Sequence, residues 1–484
     1  MRSTLTQAAA RSFCTLAACV ALAACVDIPK DEAAQLGVTS MFDTVAGVIP
    51  LPNDVLKNPA TGKLYLPPSD ADSPLTLEVK DSLSRLDGWL TSMTITIPFD
   101  GEIDPASLGP ETVQLYDVDT AAGKATKVDS STYYVLFDVG LTPAKEKPYY
   151  LTVKTKPDPN DPLPLKLPKE FIPGHTYAAM ITNGLKGADG NAVTENPVFD
   201  FLRSKDPLAD SRGRSLTVLP DADAALLELA RSALYNPAFA ALEGAGVVRS
   251  DAVSFTAFSI QSGARAVFNP TLIGRRLPQP IDDPPGSPAK APLDAKPSVY
   301  FDQAVDPSTV KAGVRMYKWT RDVGTNELDI AVEAASAPDD TGLYKLTITP
   351  PALEPSQEYL VVTTEAILTL VTRVPTAALA YFSICRYQNS LIDPPIVPAD
   401  FDRTRVKLNS PFLDSTLDVL ISLGGDPTAA DEQTWKSAYG FLIVNLEGLE
   451  KLRQGYAPLF DATVKAGTPR AEITALWSFT TAAE

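Results

Sequence analysis

Two periods alternate along this chain. In Met93-Thr94-Ile95-Thr96-Ile97 and Leu346-Thr347-Ile348-Thr349 apolar side chains fall at every second place, the period of a half-buried strand, and Asp-Pro, Pro-Gly and Asp-Gly pairs close such runs. Tyr177 to Thr182 predicts a further strand, followed by Ala188-Asp189-Gly190-Asn191, where Gly and Asn supply the positive φ of a tight turn. The period then lengthens. Asp221 to Leu234 and Phe239 to Leu242 carry apolar residues at helical spacing, with Asp221 and Asp223 placed to favour the helix N-terminus. A strand pattern returns at Val253 to Ile260, and the order recurs later as a helical run, Trp435 to Arg453, and a final strand, Ile473 to Thr481. A sandwich keeps its last strand in a sheet, so the helices are inserts before it. The pattern predicts an all-β-dominated fold, β with helical inserts, in two tandem sandwich modules.

The duplication is written in the residues. Ile97-Pro98-Phe99-Asp100-Gly101-Glu102-Ile103-Asp104-Pro105 recurs as Val299-Tyr300-Phe301-Asp302-Gln303-Ala304-Val305-Asp306-Pro307, and Pro173 and Tyr177 are answered by Pro355 and Tyr359. Pro237, Phe239, Ala241, Gly246, Arg249 and Phe258 each find the same residue 221 positions later. Ordered anchors of this kind define two copies of one unit. The divisions expected are residues 1–24 as a leader, 25–85 as tether and extended lead-in, 86–262 as module 1, 263–296 as a Pro-rich linker, and 297–484 as module 2. Within the linker, Pro278 to Pro297 holds seven prolines in 20 residues, a composition for extended polyproline spacing.

Arg2 and Arg11 precede the apolar run Ala17 to Ala24, which is too short to span a bilayer and ends in small residues before a cysteine. Leu22-Ala23-Ala24-Cys25 resembles the lipobox of bacterial lipoproteins. That resemblance implies lipidation of Cys25, removal of the signal peptide, and a membrane attachment through acyl chains alone; Val26 after the cysteine favours the outer membrane. Leu16-Ala17-Ala18-Cys19 reads similarly, but cleavage there would leave Val20 to Ala24 in the mature chain, so Cys25 is preferred. Of Cys14, Cys19, Cys25 and Cys385, only Cys385 then remains as a thiol, which excludes an intrachain disulfide and a thiolate zinc cluster. It reads as a buried small hydrophobe.

Loss of the leader takes the formal charge from -17 to -19, since residues 1–24 hold two arginines and no acids. Nucleic acid is excluded as a partner, because Arg275-Arg276 is the densest basic stretch. Acidity here serves solubility. The 43 prolines fall between apolar runs, as in a loop-rich β protein, and the 45% hydrophobic fraction is ample for globular cores.

Ile49-Pro50-Leu51-Pro52-Asn53-Asp54, then Leu86-Asp87-Gly88-Trp89, Ile97-Pro98-Phe99-Asp100 and Gln261-Ser262 resemble the N-terminal region of bacterial virulence-factor and extracellular lipases. Phe-Asp-x-x-x-Asp-Pro, Pro-Gly-x-Thr-Tyr and Asp-Gly-Asn resemble bacterial Ig-like, surface-layer-type modules. The resemblance covers most of residues 42 to 262 and implies Ig-like β-sandwiches. The chain departs from those lipases where catalysis would reside: it has no Gly-x-Ser-x-Gly elbow.

Candidate chemistry is therefore thin. His175 is the sole imidazole and sits in Pro173-Gly174-His175-Thr176-Tyr177, a turn into a strand; a triad would need it beside a serine and a carboxylate. Leu420-Ile421-Ser422-Leu423-Gly424-Gly425 has no histidine in its module and reads as a loop. Asp100, Asp104, Asp302 and Asp306, with Glu102, are weak calcium candidates by oxygen clustering, but turn-setting is the preferred role. Asp189 and Asn191 are likewise a turn before they are a cation site. Trp89, Trp319, Trp435 and Trp477 suit packing better than a carbohydrate platform. The expectation is a lipid-anchored cell-envelope protein that binds or displays rather than catalyses, with no catalytic residues and no cofactor, its envelope protein, polysaccharide or lipid ligand left open. Two alternatives follow from the same residues: a lipase or esterase relative acting on lipids, and a calcium-dependent adhesin module.

Overall fold

The computed structural model describes residues 37–44, 47–70, 72–137, 148–156, 169–267, 290–320, 324–340, 342–402, 405–410 and 432–483. They fall into two compact units, one drawn from 37–66, 88–261 and 432–439, the other from 67–87, 262–410 and 440–483. The first helix, α1 (Pro74–Ser84), belongs to the second unit.

In the first unit, β1 (Ile95–Phe99), β2 (Val113–Asp119), β3 (Lys124–Lys127), β4 (Tyr133–Phe137), β5 (Tyr149–Thr155), β6 (Thr176–Thr182) and β7 (Ala252–Ser259) make two antiparallel sheets, ordered β1-β5-β4 and β3-β2-β6-β7. Ser40 extends the first sheet beside Phe99, and Thr39 pairs in parallel with Thr194. Tyr133 of β4 reaches across to donate to the Val113 carbonyl of β2. Between β6 and β7 the chain forms α2 (Pro197–Arg203), α3 (Asp221–Ala230), a π turn (Arg231–Tyr235) and α4 (Asn236–Gly244). Pro237 lacks the N–H that an unbroken α-helix needs there, and the π turn lies immediately before it. These helices cover one face of the second sheet: Phe239 stacks on Phe255 with centroids 4.3 Å apart, and the Tyr235 ring packs tilted against Phe255 at 5.7 Å. That cover explains why β7 is buried at every position but Ser259 instead of alternating.

The second unit repeats this plan with β8 (Arg265–Ala266), β9 (Ser298–Phe301), β10 (Val314–Thr320), β11 (Gly324–Glu327), β12 (Ala331–Ala334), β13 (Tyr344–Thr349), β14 (Glu358–Thr364) and β15 (Ala377–Ala378); a small pair, β16 (Ile392–Asp393) and β17 (Lys407–Leu408); and β18 (Ile473–Thr480). Its sheets run β12-β13-β9-β8-β15 and β11-β10-β14-β18. Ala266 opposes Phe301 as Ser40 opposes Phe99, and Arg265 parallels Ala377 as Thr39 parallels Thr194. Its helices are α5 (Pro307–Gly313), α6 (Ala380–Arg386) and α7 (Glu432–Lys465). Each unit has a tyrosine corner, a mark of Ig-type sandwiches: the Ile172 N–H donates to Tyr177 Oη at 3.2 Å and the Glu354 N–H to Tyr359 Oη at 2.8 Å. Each of these rings stacks on a phenylalanine of the final strand, Phe258 or Phe479.

Three expectations need correcting. Residues 42–66, expected as an extended lead-in outside the modules, are part of the first unit, since Leu51 bridges Thr96, Ser40 Oγ donates to the Val253 carbonyl, and Phe42 and Ile49 join the core under α3 and α4. Residues 67–87 serve the second unit. There α1 is capped by Ser73, whose Oγ accepts from the Thr76 N–H, and begins with Pro74. It buries Leu75, Val79 and Leu83 at spacing i, i+4, i+8. Ser73 Oγ donates to the Asn409 carbonyl, Thr76 Oγ1 bonds Ser410 Oγ, and Glu78 accepts from the Gln388 and Asn389 N–H groups. Ser82 Oγ accepts from Arg386, and Arg85 pairs with Glu365 at 2.6 Å. Third, the predicted linker 263–296 contains β8, and Ala291 pairs with Thr481; most of its proline-rich stretch lies outside the described residues. The helix expected over Trp435 to Arg453 extends to Lys465, through Pro458.

Candidate functional site

Cys25 and the leader lie outside the described residues, as does the Ser422 loop. Among the described residues no helix is long and apolar enough to cross a membrane. Asp104 and Asp306 cap the turns that follow them, accepting from the Ala106 and Ser308 N–H groups at 2.9 Å each. Asp100 accepts from the Thr39 N–H, while Asp302 takes both the Arg265 N–H and Nε, so each carboxylate is held by donors of its own module. Asp189 accepts from Asn191 through both its amide and its side chain, which holds the carboxyl below its ordinary range. No group of three or more metal-ligating side chains converges among the described residues.

His175 lies on the exposed turn, its Nδ1 2.9 Å from Asp117 and its ring stacked against Tyr177. Trp89, Trp319 and Trp477 are buried; nothing of the Trp435 side chain is described. Cys385 is buried on α6, and desolvation pushes its thiol up to about 12.

The lipase-like motif residues gather into two small networks. In the first unit Asp54 accepts from Trp89 Nε1 at 3.2 Å and from both the N–H and Oγ of Ser259, and Lys57 donates to the same Oγ at 2.7 Å. Burial leads the effects on Asp54 and raises its carboxyl. A Cβ at Gly88 would stand 2.6 Å from the Gln261 nitrogen, so the close approach of these backbones requires glycine. In the second unit Asp87 takes the Ser262 N–H and Oγ at 3.0 and 2.5 Å. These contacts tie residues 54–57 and 87–89 to the end of β7 and the residues that follow it.

Sequence reading missed a clamp that both units share. In the first, Glu228 and Arg231 pair at 2.7 Å; Arg231 donates to the Ser204 and Lys205 carbonyls and Glu228 accepts from the Leu208 N–H. In the second, Glu450 and Arg453 pair at 2.7 Å; Arg453 donates to the Tyr387 and Gln388 carbonyls and Glu450 accepts from the Leu391 N–H. Arg203 and Arg386 likewise donate to matching carbonyls, Ser250 and Ala252 in one unit, Ala471 and Ile473 in the other. Arg249 and Arg470 lie over Phe239 and Phe460 at 4.9 and 4.8 Å. The signal was present in Glu228-x-x-Arg231 and Glu450-x-x-Arg453, a spacing that puts both charges on one helix face.

In the first unit this clamp supports an open cleft of about 650 Å³ between α2, α4 and the segment preceding α3. Leu216 and Val248 stand more than half exposed at it. Lys205 holds Glu243 at 2.8 Å with most of its side chain in solvent, and Arg203 is neutralised by Glu195 and Asp200 at 2.7 and 2.6 Å. The cleft combines exposed apolar side chains with a lysine paired to Glu243 and an Asp206 N–H held by Ser204 Oγ.

No protein-family model matches this chain, and no curated protein does. Among solved structures, 14 chains match. The N-terminal part of the bacterial S-layer protein SbsC is 12% identical with a TM-score of 0.16, over 59% of this chain and 40% of that one, so the chain spans well under half of it. Titin A168169 is 9% identical with a TM-score of 0.18, over 57% of this chain and 84% of that one. Both likenesses are too slight to carry an argument.

Proposed function

We propose that this chain is a lipid-anchored cell-envelope protein that binds or displays a partner and performs no catalysis of its own. The observation that carries the binding role is the open cleft in the first unit, built on a rigid, twice-used clamp and lined by exposed apolar side chains. Support for the anchor is the run ending Leu22-Ala23-Ala24-Cys25, with acyl chains on Cys25 as the attachment and the outer membrane favoured by Val26. Against catalysis stand the missing nucleophile elbow and the exposure of His175 on a turn. Fractionation with the Cys25→Ala variant tests the anchor: the variant leaves the membrane pellet after a high-salt wash, and retention would refute it. Ester hydrolysis by the mature protein that vanishes in His175→Ala would refute the binding role in favour of a hydrolase.

A further inference from the structure

The two units carry the same groove, and only one is seen filled. The backbone fixes the correspondence: the Leu216 N–H bonds the Leu208 carbonyl as the Asn409 N–H bonds that of Leu391, and the paired arginines make matching contacts on either side. Arg203, Lys205, Asp206, Leu216 and Thr217 of the first unit thus stand where Arg386, Gln388, Asn389, Asn409 and Ser410 stand in the second. In the second unit all five positions touch α1, through Ser82, Glu78, Ser73 and Thr76. In the first, the same five line the open cleft.

We infer that this cleft receives an amphipathic helix of about three turns from a partner protein, with apolar residues at i, i+4 and i+8. The chemistry of the walls sets that preference. Leu216, more than half exposed, replaces the polar Asn409, and Val248, also more than half exposed, stands where Pro469 stands, so the cleft presents a leucine where the filled groove presents an amide. Lys205 and Asp206 replace Gln388 and Asn389 at the positions that meet Glu78, but Lys205 is held by Glu243 and the Asp206 N–H by Ser204 Oγ, so the cleft does not repeat the carboxylate contact of the filled groove. The occupant comes from another protein because α1 is already engaged in its own unit, with Leu75, Val79 and Leu83 all below 10% exposure. A second copy of the chain would hold its α1 in the same way. The inference rests on reading the cleft as the binding surface and does not involve the acyl anchor.

The probe is a dye-labelled peptide of residues 72–86, followed by anisotropy against the full-length chain. Tethering gives the chain's own α1 an effective concentration on the order of millimolar, so micromolar peptide finds the second groove filled and only the first cleft free. The expected result is saturable binding that a Val79→Asp peptide lacks and that Leu216→Asp or Val248→Asp in the chain weakens by at least about tenfold. No binding, or binding indifferent to Leu216→Asp, overturns the inference. So does concentration-dependent self-association abolished by Leu216→Asp, which would make the occupant a second copy. Cys25→Ala fractionation fails or succeeds without touching any of these results.

Discussion

Single residues show how far two copies of one unit have diverged at constant geometry. Gly174 and Gly190 hold φ of 76° and 82°; the positions answering them in the second unit are Ser356 and Arg373, at 53° and 59°. An L-residue in the left-handed region costs about 1–2 kcal/mol, partly offset by glycine's greater entropy loss. Arg373 is also paired with Asp306, but Ser356 is an exposed turn residue. Ser356→Gly is expected to raise the stability of the second unit by about 0.5–1 kcal/mol in urea titration, and a loss would contradict the equivalence. Cys385, pushed to about 12 by burial, is expected to resist a thiol reagent at pH 8 until the protein unfolds; stoichiometric labelling of folded protein would refute its packing role. Its buried state was legible from Ile384-Cys385 in an apolar run. The left-handed Arg373 was not, because a missing Asp-Gly-Asn reads as a missing turn.

At the scale of elements, the Glu-x-x-Arg clamp is the part most exposed to test. Arg231's hydrogen bonds hold the Glu228 carboxyl low, while for Glu450 burial pushes upward and Arg453, the Leu391 amide and Gln454 outweigh it. Both carboxyls lie below their unfolded value, so the pairs stabilise fully above the ordinary glutamate range of ~4.3 and lose that contribution as pH falls through the depressed folded values. Acid unfolding should begin below about pH 4 and shift upward in Glu228→Gln. Arg453→Ala leaves Glu450 fully buried and unpaired, a loss of about 3–5 kcal/mol, whereas Arg231→Ala costs less because Glu228 keeps some solvent; denaturant midpoints in the reverse order would contradict this. The strands at Ile95, Thr176, Ala252, Tyr344 and Ile473 and the helices inserted before the last strand of each module could be read from period and turn residues. The two-residue β8 and the helix α1 could not be assigned: β8 is too short to show a period, and Ser73-Pro74 with Leu75, Val79 and Leu83 announces a helix but not which unit it joins.

For the whole molecule, the chain order of segments differs from their structural membership. A fragment of residues 37–267 contains every strand of the first sandwich, yet its residues 67–87 belong to the second. Ending the fragment at Leu242 instead removes β7 with Val253, Phe255 and Phe258, each buried and worth roughly 1.5–3 kcal/mol, which exhausts a domain's margin of ~5–15 kcal/mol. The longer fragment is expected to melt cooperatively and the shorter one not; equal midpoints would place the helices after a finished domain. The repeat was legible because six side-chain identities survive at one spacing, while the crossing of residues 67–87 was not, since no local pattern encodes a partner more than 300 residues away. Amide hydrogen exchange of Val79→Asp tests that crossing, and with it the account of one module used twice with one groove filled. The account predicts lost protection in α1, α6 and the loop carrying Gln388 and Asn389, with β6 and β7 exchanging as in the parent protein. Lost protection in β6 and β7, with α6 and that loop unchanged, would contradict it.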